Sequence, residues 1–134
     1  MPLERIFLAL AALLGGTAVV GGALATHALR NQLSERLLAI FETGSRYQMY
    51  HALALGLVSL ALAFRLGPPA LLVGAGWAFM IGTIIFSGSL YFLSLSGLNL
   101  LGAVAPVGGV ILMVGWGCLA LAAVLGGGES PLVK

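Results

Sequence analysis

The chain has 134 residues, of which 60% are hydrophobic and 7% charged, and its mean hydropathy is +1.12. Average globular proteins carry about 25% charged residues, so this composition excludes a water-soluble monomer. The net charge of +2 comes from six cationic and four anionic side chains, and no basic cluster is long enough to hold a nucleic-acid backbone. The single cysteine, Cys118, cannot form an intrachain disulfide and is expected to pack as a small hydrophobic residue.

Four long apolar stretches fill almost the whole chain. A helix that crosses the hydrocarbon core uses about 20 residues, so four crossings and short connections make up one membrane domain over 1–134. The predicted spans are 3–29, 46–65, 70–95 and 100–125. The first resembles a signal peptide in its charge at Arg5, but its apolar core is too long, so we expect a retained helix. The sequence predicts an all-α membrane protein, a four-transmembrane-helix bundle.

A short amphipathic helix is predicted over 31–43, between the first two spans. Its apolar residues recur at i, i+4, i+7 and i+8, which is typical of one helical face. They are Leu33, Leu37, Ile40 and Phe41. The segment is too short and too charged to cross, so we expect it to lie on the membrane surface. Gly44 is expected to end it, and Ser45 to cap the second span.

Small residues and one proline are expected to set how the spans pack against each other. Small residues about one turn apart, such as Ala11, Gly15, Ala18 and Gly22, form a helix face where another helix can approach closely. The predicted packing residues are Gly15, Gly22, Gly74, Gly82, Pro106, Gly108 and Gly109. Pro106 is expected to kink or loosen the fourth span near its start. The tail 126–134 is predicted to be a frayed terminus.

The densest polar segment lies at the start of the second span and supplies most of the candidate site. The candidate polar cluster comprises His27, Glu42, Arg46, Tyr47, Gln48, Tyr50 and His51. Glu42 and Arg46 are four residues apart and would pair on a continuous helix, whereas Tyr47 and Tyr50 are typical of an interfacial aromatic belt. An antiparallel helix pair would bring His27 and His51 together.

Three interpretations of the two histidines remain open at this stage. The favoured one is structural, with both rings hydrogen-bonded to backbone or carboxylate groups. A proton relay is the second, and ligation of a haem, a metal or a quinone is the third. Because two histidines are a weak ligand set, we expect no metal and no cofactor.

A hydroxyl-rich run in the third span gives candidate cavity-lining residues, Ser87, Ser89 and Tyr91. Serines in membrane helices more often bond to a carbonyl or to a neighbouring helix. The chain contains no Asp and no Gly-x-Ser-x-Gly turn, so a hydrolase triad is excluded. We therefore expect no enzymatic activity.

Several sequence blocks resemble a known family. They are 22–29 (GALATHAL), 41–55 (FETGSRYQMYHALAL), 86–91 (FSGSLY) and 106–109 (PVGG) with Gly115-Trp116. In this order they resemble the YgdD-like family of small bacterial inner-membrane proteins. The resemblance implies four transmembrane helices, animal membrane-protein relatives, an unknown function and no catalytic residues. Where that family usually has Gly-Ala-Phe-Gly-Ala-His-Gly, residues 22–28 read Gly-Ala-Leu-Ala-Thr-His-Ala, so the histidine stays while two flanking glycines are replaced.

Together these observations predict a multi-pass protein of the inner membrane that works as a non-enzymatic structural, accessory or assembly component. The expected partners are the lipid bilayer and a membrane-protein complex or further copies of the chain, with no nucleic acid. The alternative is a small-solute transporter or permeation pathway formed by a homo-oligomer. Proton-coupled export is disfavoured because the only acid of the first span, Glu4, lies at its end. Three Lys or Arg residues fall on each side, so charge does not orient the chain.

Overall fold

The computed structural model describes residues 1–126 and contains four long helices. They are α1 (Leu3–Leu24), α2 (Glu35–Ala63), α3 (Pro69–Ser96) and α4 (Ala105–Leu125). A π-helical turn, Ala25–Leu29, extends α1, and a 3-10 turn, Asn99–Ala103, precedes α4. The all-helical class predicted from the sequence is confirmed. The predicted frayed tail lies, apart from Gly126, outside the described residues.

Three helical segments are long and apolar enough to cross a bilayer. They are α1 with its π-helical turn (Leu3–Leu29), α3 (Pro69–Ser96), and the 3-10 turn with α4 (Asn99–Leu125). The remaining helix, α2, has 29 residues and is about 43 Å long at 1.5 Å per residue. It differs from the others because its first half carries four charged side chains, Glu35, Arg36, Glu42 and Arg46, out of ten in the chain.

The predicted boundary at Gly44 and Ser45 is wrong, and the short helix 31–43 is not a separate element. α2 begins after Ser34, whose hydroxyl accepts a hydrogen bond from the Leu37 N–H at 3.3 Å, and it continues unbroken through both residues. A Cβ atom on Gly44 would lie 3.1 Å from the Tyr91 ring. The glycine is therefore needed for close packing against α3, and it does not end a helix.

Prolines and one left-handed glycine set the ends of α3 and α4. Pro69 occupies the first turn of α3, where a missing N–H costs nothing, and Gly97 ends that helix with φ 72°. Pro106 likewise lies in the first turn of α4. The predicted kink at Pro106 is absent, because the regular helix begins only one residue earlier, at Ala105. The start of the predicted fourth span is instead the 3-10 turn Asn99–Ala103, so the span is irregular before Pro106.

The helices pack antiparallel in chain order. α2 lies along both α1 and α3, and α4 lies along α3. The central apolar cluster includes Phe7, Leu55, Val58, Phe79 and Leu112, all of them buried. This order places α2 where its polar side chains meet two neighbouring helices.

Glycines allow the closest approach between α3 and α4. A Cβ atom on Gly82 would lie 2.7 Å from the Leu112 side chain, and one on Gly108 would lie 2.5 Å from the Phe86 backbone nitrogen. Gly15, Gly22 and Gly109 have ordinary spacing to their neighbours, whereas Gly74 is exposed with open space around it. The expectation that Gly74 packs against another helix is therefore wrong.

Candidate functional site

The polar side chains of α2 divide among three faces of that helix. Ser45 and Gln48 point towards α1 and α3 and are buried. Tyr47 and His51 lie against the aromatic rings of α3 and α4. Glu42, Arg46 and Tyr50 are exposed on the outer side of the helix. The predicted polar cluster is thus divided among three faces of α2, and Tyr50, whose ring centroid lies 5.7 Å from that of Tyr47, borders two of them.

The inward face forms a hydrogen-bond network that joins three helices. Ser45 donates to the Ala18 carbonyl of α1 at 2.8 Å. The Gln48 amide donates to the Leu14 carbonyl at 2.8 Å and to the Thr17 hydroxyl at 2.7 Å. Its carbonyl oxygen accepts the Tyr91 hydroxyl of α3 at 2.8 Å. We call Ser45, Gln48, Thr17 and Tyr91 the three-helix network. Both amide donors and the amide acceptor of Gln48 are satisfied.

Two of the three hydroxyl groups predicted to line a cavity are used in hydrogen bonds. Ser89 donates to the Phe86 carbonyl at 2.8 Å, and Tyr91 belongs to the three-helix network. Ser87 is 2% exposed, and its hydroxyl, like that of Thr83 one turn earlier, has no partner among the described residues. Ser87 and Ser89 are buried and Tyr91 is half-buried.

The imidazole of His51 is held by two hydrogen bonds. The Trp116 indole N–H of α4 donates to its Nε2 at 3.1 Å, and its Nδ1 lies 2.7 Å from the Tyr47 carbonyl. Because an indole only donates and a carbonyl only accepts, these contacts assign a neutral ring with its proton on Nδ1. Both nitrogens are occupied, so neither is free to ligate a metal or a haem.

His27 and His51 do not come together. Ser45 bonds to Ala18 and Ser59 to Glu4, and in both pairs the residue numbers add to 63, which fixes the register of α1 against α2. Continuing that register, His27 is level with residue 36 of α2, about 22 Å along the helix from His51. His27 itself is exposed on the π-helical turn. Within residues 1–126, no group of three His, Cys, Asp or Glu could hold a metal.

An aromatic groove opens between α2 and α4 beside His51. Its volume is about 380 Å³. Its main lining residues are Tyr47, Tyr50, His51, Phe86, Met113 and Trp116. Tyr47 lies about 18 Å from the start of α2, and Trp116 lies near the middle of α4. The interfacial belt predicted for Tyr47 and Tyr50 assumed a helix starting at residue 46, so that expectation no longer follows.

The outer face of α2 carries unpaired charge. Glu42 and Arg46 are both exposed, and neither forms an ion pair within the part of the chain that is described, so the predicted pair is not present. Arg36, the second residue of α2, donates instead to Asn99 at 3.3 Å, across to the turn before α4. Below Arg46 the same face continues with the exposed side chains Tyr50 and Leu53.

Trp116 and Thr17 are site residues that sequence reasoning missed. A signal for Trp116 existed, since tryptophan in a membrane helix usually lies at its ends, whereas this one lies in the middle of an apolar run. An indole N–H in apolar surroundings needs an acceptor within the protein, and His51 supplies it. No comparable signal exists in the sequence for Thr17, because a threonine in a helix commonly bonds to a carbonyl of its own helix. The Thr17 hydroxyl does so as well, donating to the Leu13 carbonyl at 2.8 Å.

The apolar helices and the internally bonded polar groups define a small helical membrane protein. The chain belongs to the DUF423 family, described as a protein of unknown function, whose family profile matches residues 21–109.

Three relatives illustrate the similarity, and all carry the name UPF0382 membrane protein. The Staphylococcus epidermidis protein is 40% identical over 119 residues, which is 88% of this chain and 94% of that protein. The Bacillus subtilis protein YwdK is 38% identical over 120 residues, 90% and 97% of the two chains. The Haemophilus influenzae protein is 39% identical over 118 residues, 88% and 93%. No solved structure matches the chain.

Proposed function

We propose that this chain is a non-enzymatic accessory or assembly component of the bacterial inner membrane, which it crosses four times as a helix bundle. The observation that carries the proposal is the three-helix network, in which the buried polar side chains of α2 bond to neighbouring helices. Such groups hold helices together in lipid. We also propose that the chain is related to the YgdD-like proteins and to their animal relatives.

The register of α1 against α2 supports four crossings. The two helices touch at points 14 residues apart on α1, about 21 Å along its axis, through Ser45 with Ala18 and through Ser59 with the Glu4 carbonyl at 2.7 Å. A helix packed antiparallel along a crossing helix over that length crosses with it. Arg36 and Asn99 would then lie on one side of the membrane, in agreement with their hydrogen bond.

The crossing number is tested with single cysteines in a C118A background, labelled by a membrane-impermeant maleimide. Gln32→Cys, Leu66→Cys and Leu98→Cys are suitable because all three side chains are exposed. Four crossings place positions 32 and 98 on the same side and position 66 on the other. If α2 does not cross, positions 32 and 66 share a side and position 98 is opposite.

The accessory role is tested by copurification from native membranes in mild detergent after crosslinking, with an unrelated multi-pass protein of similar size as the control. A defined membrane-protein partner, absent from the control, is the expected result. A particle that contains only this chain under all crosslinking conditions would contradict the accessory role. Solute or ion flux in reconstituted liposomes would favour transport instead.

A further inference from the structure

The outer face of α2 exposes a carboxylate and a guanidinium group one turn apart, followed by a stripe of apolar side chains. The face runs along the helix at spacings of three or four residues. Its members are Glu42, Arg46, Tyr50, Leu53, Leu57 and Leu60, all of them exposed. We call this set the α2 outer face.

The charged end of the α2 outer face lies well inside the apolar length of α1. The register of α1 against α2 places Arg46 level with Thr17, near the middle of the apolar segment Leu3–Leu29. Glu42 is level with Gly21, one turn nearer the end of that segment. Ionisable groups at membrane depth almost always face protein or water and are paired, since lipid solvates them poorly. Here both face outwards, and neither has an ion-pair partner among residues 1–126.

A second copy of the same chain fits this surface because the surface is complementary to itself. Glu42 and Arg46 have opposite charges and are one helical turn apart on one stripe. Side chains on a helix lean towards its N-terminus, so the Arg46 side chain extends towards the level of Glu42. In a twofold pair the same patch of each copy meets that of the other. Glu42 of each copy can then pair with Arg46 of the other copy.

We propose that the α2 outer face joins two copies of this chain side by side about a twofold axis along the membrane normal, with Glu42 of each copy paired with the partner's Arg46. The leucine half of the face, Leu53, Leu57 and Leu60, supplies the packing surface below the charges. Together with Tyr50, these leucines are spaced by three, four and three residues. Such spacing is the heptad pattern of two helices packed along their length. The inference rests on the proposed crossing by α2, which the cysteine labelling tests separately.

The test uses charge reversal in trans, with two differently tagged copies of the full chain coexpressed and captured through one tag in mild detergent. When both tagged copies carry E42R, or both carry R46E, the two contacts between the chains each bring together like charges. We then expect a loss of co-capture of about tenfold or more. E42R paired with R46E restores both contacts between chains, and co-capture should return to near the wild-type level. An ion pair within one helix cannot be rescued in this way.

Matched controls reverse the charge of exposed side chains away from the α2 outer face. Arg5 lies on α1 and Arg65 in the turn after α2, and both side chains are exposed. R5E and R65E should therefore co-capture like the wild type. A monodisperse elution profile for each single variant shows that it still folds, and rescue by the mixed pair shows it independently. Absence of wild-type self-association, undiminished self-association of E42R and R46E, or failure of the mixed pair to recover would each overturn the proposal. The labelling pattern that reports α2 crossing would remain valid in all three cases.

Discussion

Replacing Gln48 with leucine is the most direct perturbation of the three-helix network. The substitution keeps the size of the side chain but removes two donors and one acceptor. At about 0.6 kcal/mol for each interhelical hydrogen bond in a membrane protein, the three lost bonds cost roughly 2 kcal/mol. The Tyr91 hydroxyl also loses its acceptor inside the protein, which adds about 1 kcal/mol. Q48L should therefore lower the free energy of unfolding by about 3 kcal/mol.

A double-mutant cycle with Y91F distinguishes loss of the Gln48–Tyr91 hydrogen bond from a general packing defect. Y91F removes the hydroxyl that Q48L leaves without a partner, so Q48L/Y91F should be less destabilised than the sum of the single variants by about 1 kcal/mol. The measurement is reversible unfolding in detergent micelles, followed by circular dichroism. Gln32→Leu is the matched control, since Gln32 is exposed, and it should change stability by less than about 0.5 kcal/mol. Additive single effects, or a Q48L effect no larger than that of Q32L, would refute the assigned network.

Two further predictions concern helix contacts and use the same unfolding measurement. Gly108→Ala places a methyl group against the α3 backbone and should cost about 1–3 kcal/mol; Gly74→Ala, where the space is open, should be neutral or stabilising, and equal effects would contradict the described packing. Trp116→Phe leaves Nε2 of His51 without its donor and should cost about 1–3 kcal/mol. Trp77→Phe is the control, and it should cost clearly less than Trp116→Phe; if the two cost the same, the indole–imidazole bond contributes little.

The helical class could be predicted from the sequence because composition alone requires it. Continuous apolar runs of about 20 residues are typical of helices that cross a membrane, because a helix satisfies its backbone hydrogen bonds within the segment. Most of the predicted spans therefore correspond to observed helices. The boundary at Gly44 could not be predicted. A glycine followed by a serine has the same local pattern whether it ends a helix or lets another helix approach. Only the position of Tyr91 on α3 decides between the two.

The candidate site was predicted in composition but not in arrangement. Gln48 and His51 were singled out, and both are buried and hydrogen-bonded. The prediction that His27 and His51 lie close together was wrong, because it depended on the register between α1 and α2. That register is fixed by small contacts such as the hydroxyl of Ser45 on Ala18. No periodicity within either helix carries this information, since it depends on which atoms of the two helices meet.

The three-helix network also bears on the order in which the molecule assembles. Every hydrogen bond from Ser45, Gln48 and Tyr91 ends within α1, α2 or α3. A ribosome delivers these three segments first, so their polar contacts can close before the last segment enters the bilayer. In that order α4 would pack last, against the already assembled α1, α2 and α3. The hydrogen bond from the Trp116 indole to the His51 imidazole would then form with α2 already in place.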